Sequence, residues 1–463
     1  MEQNIENVVQ SIFELQKKQV SKQRLTTSKE RIILLRKLKD ALPGILPKLT
    51  EALAKDVAKP PFEVQYMELG GLLDVIDQTC AQLEEWMKPE KRASSLDPNA
   101  IVEIRSEARG IVLVIGPWNV PFLLTIDPMI AALAAGNCVV LKPSELTPHT
   151  SRLIAEFIPT VFPPENVSVV EGGVEITQDL LALPFDHIFF TGSTNVGKIV
   201  MTAAAKNLSS VTLELGGKSP CFVDEQANIE RVAAALMHKK TMNGGQICVA
   251  PDYVLVHKTR EQELVAALKK YTDQYFYGDG SFNSSDMSNI INQRNYERLK
   301  SLYQDALDKG AQVAFGGIFH DDRIQIEPTV LTNVDSSSKI MQEEIFGPFL
   351  PVISYEDVDQ AISYVNQNEK PLGLYIFSQN NKYIENIISR TSSGGVTVNE
   401  VMMHSFDQSI PFGGVNTSGM GSYHGIYGFR ELSHQKSIYY ASEGPLDTSM
   451  HPPFAKKHSN PSH

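Results

Sequence analysis

The sequence predicts an α/β fold built from two doubly wound units, and three observations carry that prediction. At 463 residues the chain is longer than one hydrophobic core usually serves. From Gly110 onward, apolar strands alternate with helices, and those strands are continuous β-branched runs of the kind a parallel sheet buries on both faces. After Leu215 the alternation starts afresh, which sets a boundary near residues 211–217.

Residues 1–90 read as helices. Ile32, Leu35, Leu38, Leu42 and Leu46 recur at three- and four-residue spacing across 28–53, and 67–86 continues the pattern. Residues 100–107 alternate as a short strand. The first unit has expected strands at 111–115, 138–141, 167–170 and 187–190, with helices at 128–135, 151–162 and 196–205. In the second, strands at 220–223, 253–257, 349–355, 374–377 and 396–399 alternate with helices at 228–242, 261–275, 357–367 and 381–390. Ligands of such sheets sit beyond the carboxyl ends of the strands. The tail 443–463 is rich in Pro, Ser and charge, and is expected to be mobile.

Composition narrows the function classes. The chain is 42% hydrophobic and 21% charged, as in an ordinary globular enzyme. Its net charge of -12 argues against general nucleic-acid binding and against an anionic membrane surface. Residues 1–20 alternate polar and apolar and contain no uninterrupted apolar core of signal-peptide type, and no apolar run approaches the ~20 residues of a membrane helix. Four cysteines (Cys80, Cys138, Cys221, Cys248) without a C-x-x-C pair do not make a disulfide framework. They suit a reducing cytoplasm.

Three motifs follow strands of the first unit. Gly192-Ser193-Thr-Asn-Val-Gly197-Lys198 fits most of the P-loop pattern, but Ile199 stands where a hydroxyl would meet Mg²⁺. What survives is a Gly-rich turn opening a helix, whose N–H groups and positive dipole end suit a phosphate; a tight turn that eases packing is the other reading. The segment 136–145 ends a strand in Lys142, Pro143, Ser144 and Glu145, either a ribose-binding pair or a solvated strand end. In the loop 116–122, with Trp118, Asn119 is the one side-chain amide donor or a turn former.

Two segments carry candidate chemistry. Glu214 lies inside an apolar strand just before Gly216-Gly217. A buried acid of this kind has its pKa raised toward general-base range, although an acid on the solvent face of an edge strand reads the same way. Cys248 lies in the Gly-rich loop Asn243-Gly-Gly-Gln-Ile-Cys248, where glycines admit a substrate and the Cys amide can donate to an oxyanion. Alone, a buried inert thiol is equally readable.

In order and spacing these segments resemble the aldehyde dehydrogenase superfamily from about residue 25 to 440. The later runs agree: Glu343-Glu344-Ile-Phe346-Gly-Pro348, Gly394-Gly-Val-Thr-Val-Asn399 and Pro411-Phe-Gly-Gly-Val-Asn-Thr-Ser-Gly419. Cys248-Val-Ala-Pro-Asp-Tyr253, Ser418-Gly-Met-Gly-Ser-Tyr-His-Gly425 and the early position of the Asn119 loop are similar to the class 3 branch. The resemblance implies a Rossmann-type cofactor domain (1–98 and 108–212), a catalytic domain (213–400) and small β oligomerisation segments (99–107 and 420–442). It implies a homodimer that oxidises medium- or long-chain aliphatic or aromatic aldehydes to acids; some members of that branch carry a C-terminal membrane anchor, and from the polar tail here none is expected.

The roles implied are Cys248 as nucleophile, Asn119 as oxyanion donor and Glu214 as the base that releases the acid. NAD, with NADP also accepted, would contact Trp118, Lys142, Ser144, Glu145, Gly192, Ser193, Gly197, Leu215, Glu344 and Phe346. No metal is implied. Glu145 leans toward NAD, because an acid repels a 2′-phosphate. Two positions depart from the family: Ile247 stands where Thr is usual, expected to narrow the acyl pocket or make it less polar, and Asn416 where Gly is usual, expected to alter a turn. A CoA-acylating dehydrogenase, a P-loop nucleotidase and a silent binding protein are the rival readings. Glu214 speaks against the first, Ile199 against the second and the intact trio against the third.

Overall fold

A computed structural model describes residues 2–278, 280–444 and 451–453, with backbone alone for 2–7. The expectation of a mobile tail falls largely on 445–450 and 454–463, outside the described residues.

Strands Ile111–Ile115, Cys138–Lys142, Val167–Val169, His187–Thr191 and Ser210–Glu214 form the parallel body of a six-stranded sheet. Taken in chain order, their spatial order is 3-2-1-4-5, the Rossmann arrangement. The order reverses between 111–115 and 187–191, so the loops after those two strands, 116–122 and 192–197, flank the switch point. Every residue of 111–115 is buried, which is why the strand reads as an unbroken apolar run. Gly419–Met420 closes the sheet as a short antiparallel edge beside Ser210–Glu214.

The second sheet has seven strands in the order Gln312–Phe315, Thr329–Thr332, Phe349–Tyr355, Tyr253–His257, Pro220–Val223, Gly373–Phe377 and Gly395–Val398. All neighbours are parallel except 312–315 against 329–332. The chain passes from one sheet to the other between Glu214 and Pro220. It returns to the first at Gly419, which lies opposite Glu214 in register. A third, antiparallel sheet joins Glu90–Ala93, Ile101–Ala108 and Ser433–Tyr440.

Several elements differ from expectation. The helix expected at 128–135 starts at Leu123 and runs through Pro128. Proline usually marks a first turn, but here the start is set from afar, because Glu68 Oε2 accepts from the N–H groups of Phe122 and Leu123. The run 28–53 is two helices, Ser28–Ala41 and Leu46–Val57, with a 3₁₀ turn at Pro43 between them. Thr27 and Glu30 form a reciprocal capping box at the start of the first. Helices Val174–Ala182 and Gln293–Asp308 and strands Gln312–Phe315 and Thr329–Thr332 have no counterpart in the sequence reading. The edge strand 312–315 is short and largely exposed, so no long buried run marks it.

Candidate active site

The Cys248 loop takes its shape from left-handed backbone. Helix Ile229–Thr241 ends, and Asn243, Gly244 and Gly245 follow with φ of 51, 63 and 77°. Asn and Gly tolerate that region where most residues do not. A side chain on Gly245 would meet Gly347 O at 2.3 Å, so the loop lies directly against the 343–348 segment. The Gln246 carboxamide stitches it down: Nε2 donates to Asn243 O (2.9 Å) and Asn289 O (3.0 Å), while Oε1 accepts from Ile291 N (3.0 Å). Beyond the loop, the buried Tyr375 hydroxyl donates to Val249 O. Cys248 itself is partly exposed.

Asn119 sits beside this loop and is 5% exposed. Its Nδ2 donates one hydrogen to Gln246 O at 3.1 Å, and a primary amide has a second to give. Its carbonyl accepts from Lys59 Nζ and from Asn243 Nδ2, both at 2.9 Å. One place before it, the Trp118 ring meets Phe346 edge-on at 5.3 Å between centroids. Phe346 has φ 49°, a left-handed conformation that costs a side-chain-bearing residue about 1–2 kcal/mol.

Glu214 ends its strand 3% exposed, and neither carboxyl oxygen has a hydrogen-bond partner. Burial, then the Glu431 charge, holds its carboxyl well above the usual range. Burial, then Glu344 and Glu214, pushes the Cys248 thiol up to about 12, opposed by the Cys248 and Val249 backbone N–H groups. The thiol and both acids therefore share one electrostatic site. Glu344 is held up to about 8 by burial and by Asp252, against the Gly217 N–H, Lys218 and Arg298. Its carboxyl lies 2.3 Å from where a Gly216 Cβ would stand, so Gly216 has no room for a side chain.

The expected cofactor residues other than Glu344 and Phe346 lie at or just past the carboxyl ends of strands of the first sheet. Lys142, 2% exposed, directs Nζ to Glu145 Oε2 at 2.7 Å, and the Glu145 side chain is 42% exposed. Ser144 Oγ accepts from Leu146 N. Ser193 caps helix Thr194–Asn207 by accepting from Val196 N. Gly197 lets that helix close on Leu215, whose methyl group would stand 2.8 Å from an added Cβ. Gly192 lies over the Phe190 ring, 2.6 Å from its own missing Cβ, and its N–H donates to Glu214 O. One turn past Ser193, Ile199 and Ala203 face Leu181 and Ala182 across a cleft of about 590 Å³, with Gln178 and Lys198 also lining it.

Other residues that build the site escaped the sequence reading. Lys218 pairs with Asp252 and donates to Ile340 O (2.8 Å) and Glu343 O (2.9 Å). Asp252 accepts from Ile345 N (2.9 Å), and Arg298 donates to Glu344 O (3.2 Å) and Ile345 O (2.6 Å). Together they fix the backbone that carries Glu344 and Phe346. A lysine straight after Gly216-Gly217 and an acid before the strand Tyr253–His257 were the available signals. Of the two departures, Asn416 adopts φ 57° and accepts from Lys370 Nζ at 2.7 Å, so the turn accommodates it. Ile247 is 6% exposed and belongs to the main apolar core.

A model of the aldehyde dehydrogenase family matches residues 2–438. The chain belongs to the aldehyde dehydrogenase family. It is 47% identical over 389 residues to aldehyde dehydrogenase family 3 member A2 of Pongo abelii, covering 83% of this chain and 78% of that one. It is 45% identical over 413 residues to the dimeric NADP-preferring aldehyde dehydrogenase of Rattus norvegicus, 89% of this chain and 90% of that one. Among solved structures, the substrate-bound state of Staphylococcus aureus AldH superposes with a TM-score of 0.91 at 41% identity, covering 97% and 98% of the two chains. As an aldehyde dehydrogenase it oxidises aldehydes to carboxylic acids with NAD or NADP, on the α/β fold the sequence implied. No helix among the described residues is long and apolar enough to cross a membrane.

Proposed function

We propose that this aldehyde dehydrogenase works through Cys248, Asn119 and Glu214. The observation that carries the reading is that Asn119 is hydrogen-bonded into the Cys248 loop, while Glu214 bears electrostatically on the same thiol. Cys248 Sγ, as thiolate, attacks the aldehyde carbon and the carbonyl π pair moves to oxygen. Asn119 Nδ2 and the Cys248 N–H donate to that oxyanion. The C=O bond then reforms as the C–H bond breaks with its electron pair, leaving a thioester on Cys248. Glu214 takes a proton from water, the water oxygen adds to the thioester carbon, and sulfur leaves with the acid formed.

A bound oxidised nicotinamide would supply the acceptor for the departing hydride. This chain's residues fit such a cofactor: a helix N-terminus at Ser193 for pyrophosphate, and a cleft between helices Val174–Ala182 and Thr194–Asn207 for the adenine. Lys142 and Glu145 would hold the adenosine ribose, with Ser144 beside them. Gly192, Gly197 and Leu215 would let backbone and helix approach the phosphates. Glu344 would hold the nicotinamide ribose, with Trp118 and Phe346 packed beside the ring. Residues 1–98 and 108–212 would thus form the cofactor domain and 213–400 the catalytic domain.

The substrates we infer are medium- or long-chain aliphatic or aromatic aldehydes. We also infer a homodimer joined through 99–107 and 420–442; a relative named as dimeric, and Ile101, Tyr439 and Tyr440 exposed on that sheet, support it. Four free cysteines support a cytoplasmic setting. Absorbance at 340 nm with a chain-length series of aldehydes tests the substrate class. kcat/KM should rise from acetaldehyde to the longer and aromatic members, and a preference for acetaldehyde would remove that inference.

Cofactor choice has its own test. Like unit charges about 4 Å apart repel by about 1 kcal/mol in water, and a 2′-phosphate bears nearly two. Glu145→Gln should therefore raise the NADP-to-NAD ratio of kcat/KM about tenfold or more. An unchanged ratio would place the 2′ position away from Glu145.

A further inference from the structure

Between helix Leu46–Val57 and helix Gly71–Trp86 the chain makes a short α turn, Pro61–Glu63, and then a π-helical stretch, Val64–Gly70. In a π-helix the hydrogen bonds run from i to i+5, so residues five apart succeed one another on one face, and such stretches concentrate at functional sites. Here the pair is Glu63 and Glu68, and both reach the catalytic loops. Glu63 accepts from Asn243 N at 3.0 Å. Glu68 accepts from Phe122 N at 3.0 Å and Leu123 N at 3.2 Å. Lys59, just before the turn, gives Nζ to Glu68 Oε1 at 2.5 Å and to Asn119 O at 2.9 Å.

The Lys59 and Glu68 side chains have no solvent exposure. Burying two charges is costly, and apolar residues in their place would often leave a fold equally stable. The pair therefore calls for a purpose beyond stability. Its contacts supply one: apart from the bond between them, the two charged groups hydrogen-bond to backbone of residues 119–123. That loop carries the Asn119 amide, which in turn hangs from Gln246 O in the Cys248 loop. Asn243 Nδ2 bridges the same two loops through Asn119 O (2.9 Å) and Gln246 O (3.2 Å).

We propose that Lys59 and Glu68 are positioning residues for oxyanion stabilisation, fixing the backbone of the Asn119 loop so that its amide and the Cys248 loop keep their separation through the reaction. The proposal rests on the reading of Asn119 as oxyanion donor. Oxyanion donors act at the transition state, so a shift in their position lowers kcat more than it raises KM. Neither Lys59 nor Glu68 need touch substrate to have this effect.

The test is a double-mutant cycle between Lys59→Met/Glu68→Met and Asn119→Ala, with kcat and KM for aldehyde and NAD and a thermal melt for each protein. Asn119→Ala alone should lower kcat by ~10²–10³. Lys59→Met/Glu68→Met leaves neither charge of the pair behind but strands the Phe122 and Leu123 N–H groups, so it should melt modestly below the wild-type temperature and stay folded at the assay temperature. Its kcat should nonetheless fall about 10- to 100-fold with little change in either KM. In the Asn119→Ala background the same pair of changes should cost less than about threefold, because the group they position is gone. Wild-type kcat in the Met/Met variant, or an equal loss in both backgrounds, overturns the proposal. Should Met/Met fail to fold, Glu68→Gln in the same two backgrounds gives the same two outcomes. A near-normal kcat in Asn119→Ala would overturn the oxyanion reading itself, a result separate from failure of the clamp.

Discussion

Cys248→Ala should abolish aldehyde-dependent NAD(P)H formation, a loss on the order of 10⁴–10⁶ in kcat if the covalent route is the only fast one. The variant should still fold and bind cofactor. Cys248 is partly exposed, and the loop is held by Gln246 and by Tyr375 on the neighbouring carbonyl, not by sulfur. Cofactor binding followed by protein fluorescence separates a lost nucleophile from a lost fold. Retained turnover in a folded Cys248→Ala protein would remove the thioester route. The thiol's own titration gives a second readout. With its pKa pushed up to about 12, the free enzyme should alkylate slowly at pH 7, and the rate should climb about tenfold per pH unit. Cofactor binding should speed it, since a nearby cationic ring favours the thiolate.

Much of the fold was legible because burial leaves a pattern. Strands such as Ile111–Ile115 and Pro220–Val223 are covered on both faces, and their residues are apolar without interruption. Cys248 and Glu214 were legible for a different reason: each lies beside a Gly-Gly pair that marks close backbone approach. In the structure Gly216 abuts the Glu344 carboxyl and Gly245 abuts Gly347 O. What stayed hidden depends on partners far away in sequence. Glu68 bonds Phe122 across 54 residues and Lys59 bonds Asn119 across 60, and no local spacing announces either. The only local sign was an acid placed between Met67 and Leu69 in an apolar helix face. Asn416 shows the opposite limit. Its departure from Gly suggested an altered turn, yet the requirement there is a left-handed φ, which Asn also meets.

Glu214→Gln should separate the two halves of the reaction. Thioester formation does not need the base, so a burst of one NAD(P)H per site should persist at close to the wild-type rate. Hydrolysis does need it, and steady-state turnover should fall by about 10²–10⁴, the usual share of a general base. The pH dependence should change with it. Burial, then Glu431, raises the Glu214 pKa, so the ionised fraction that serves as base forms at higher pH than in an ordinary carboxyl. That fraction grows with pH until the raised pKa is passed, so wild-type turnover limited by hydrolysis rises with pH across this range. An amide has no such titration, and the residual turnover of Glu214→Gln should lose this dependence. Stopped-flow absorbance at 340 nm over a pH series reads burst and slope together. Absence of a burst with unchanged turnover would exclude Glu214 as the base. A lost burst with lost turnover would instead assign Glu214 to the first half, where the acid would have to take the proton from Cys248 rather than from water.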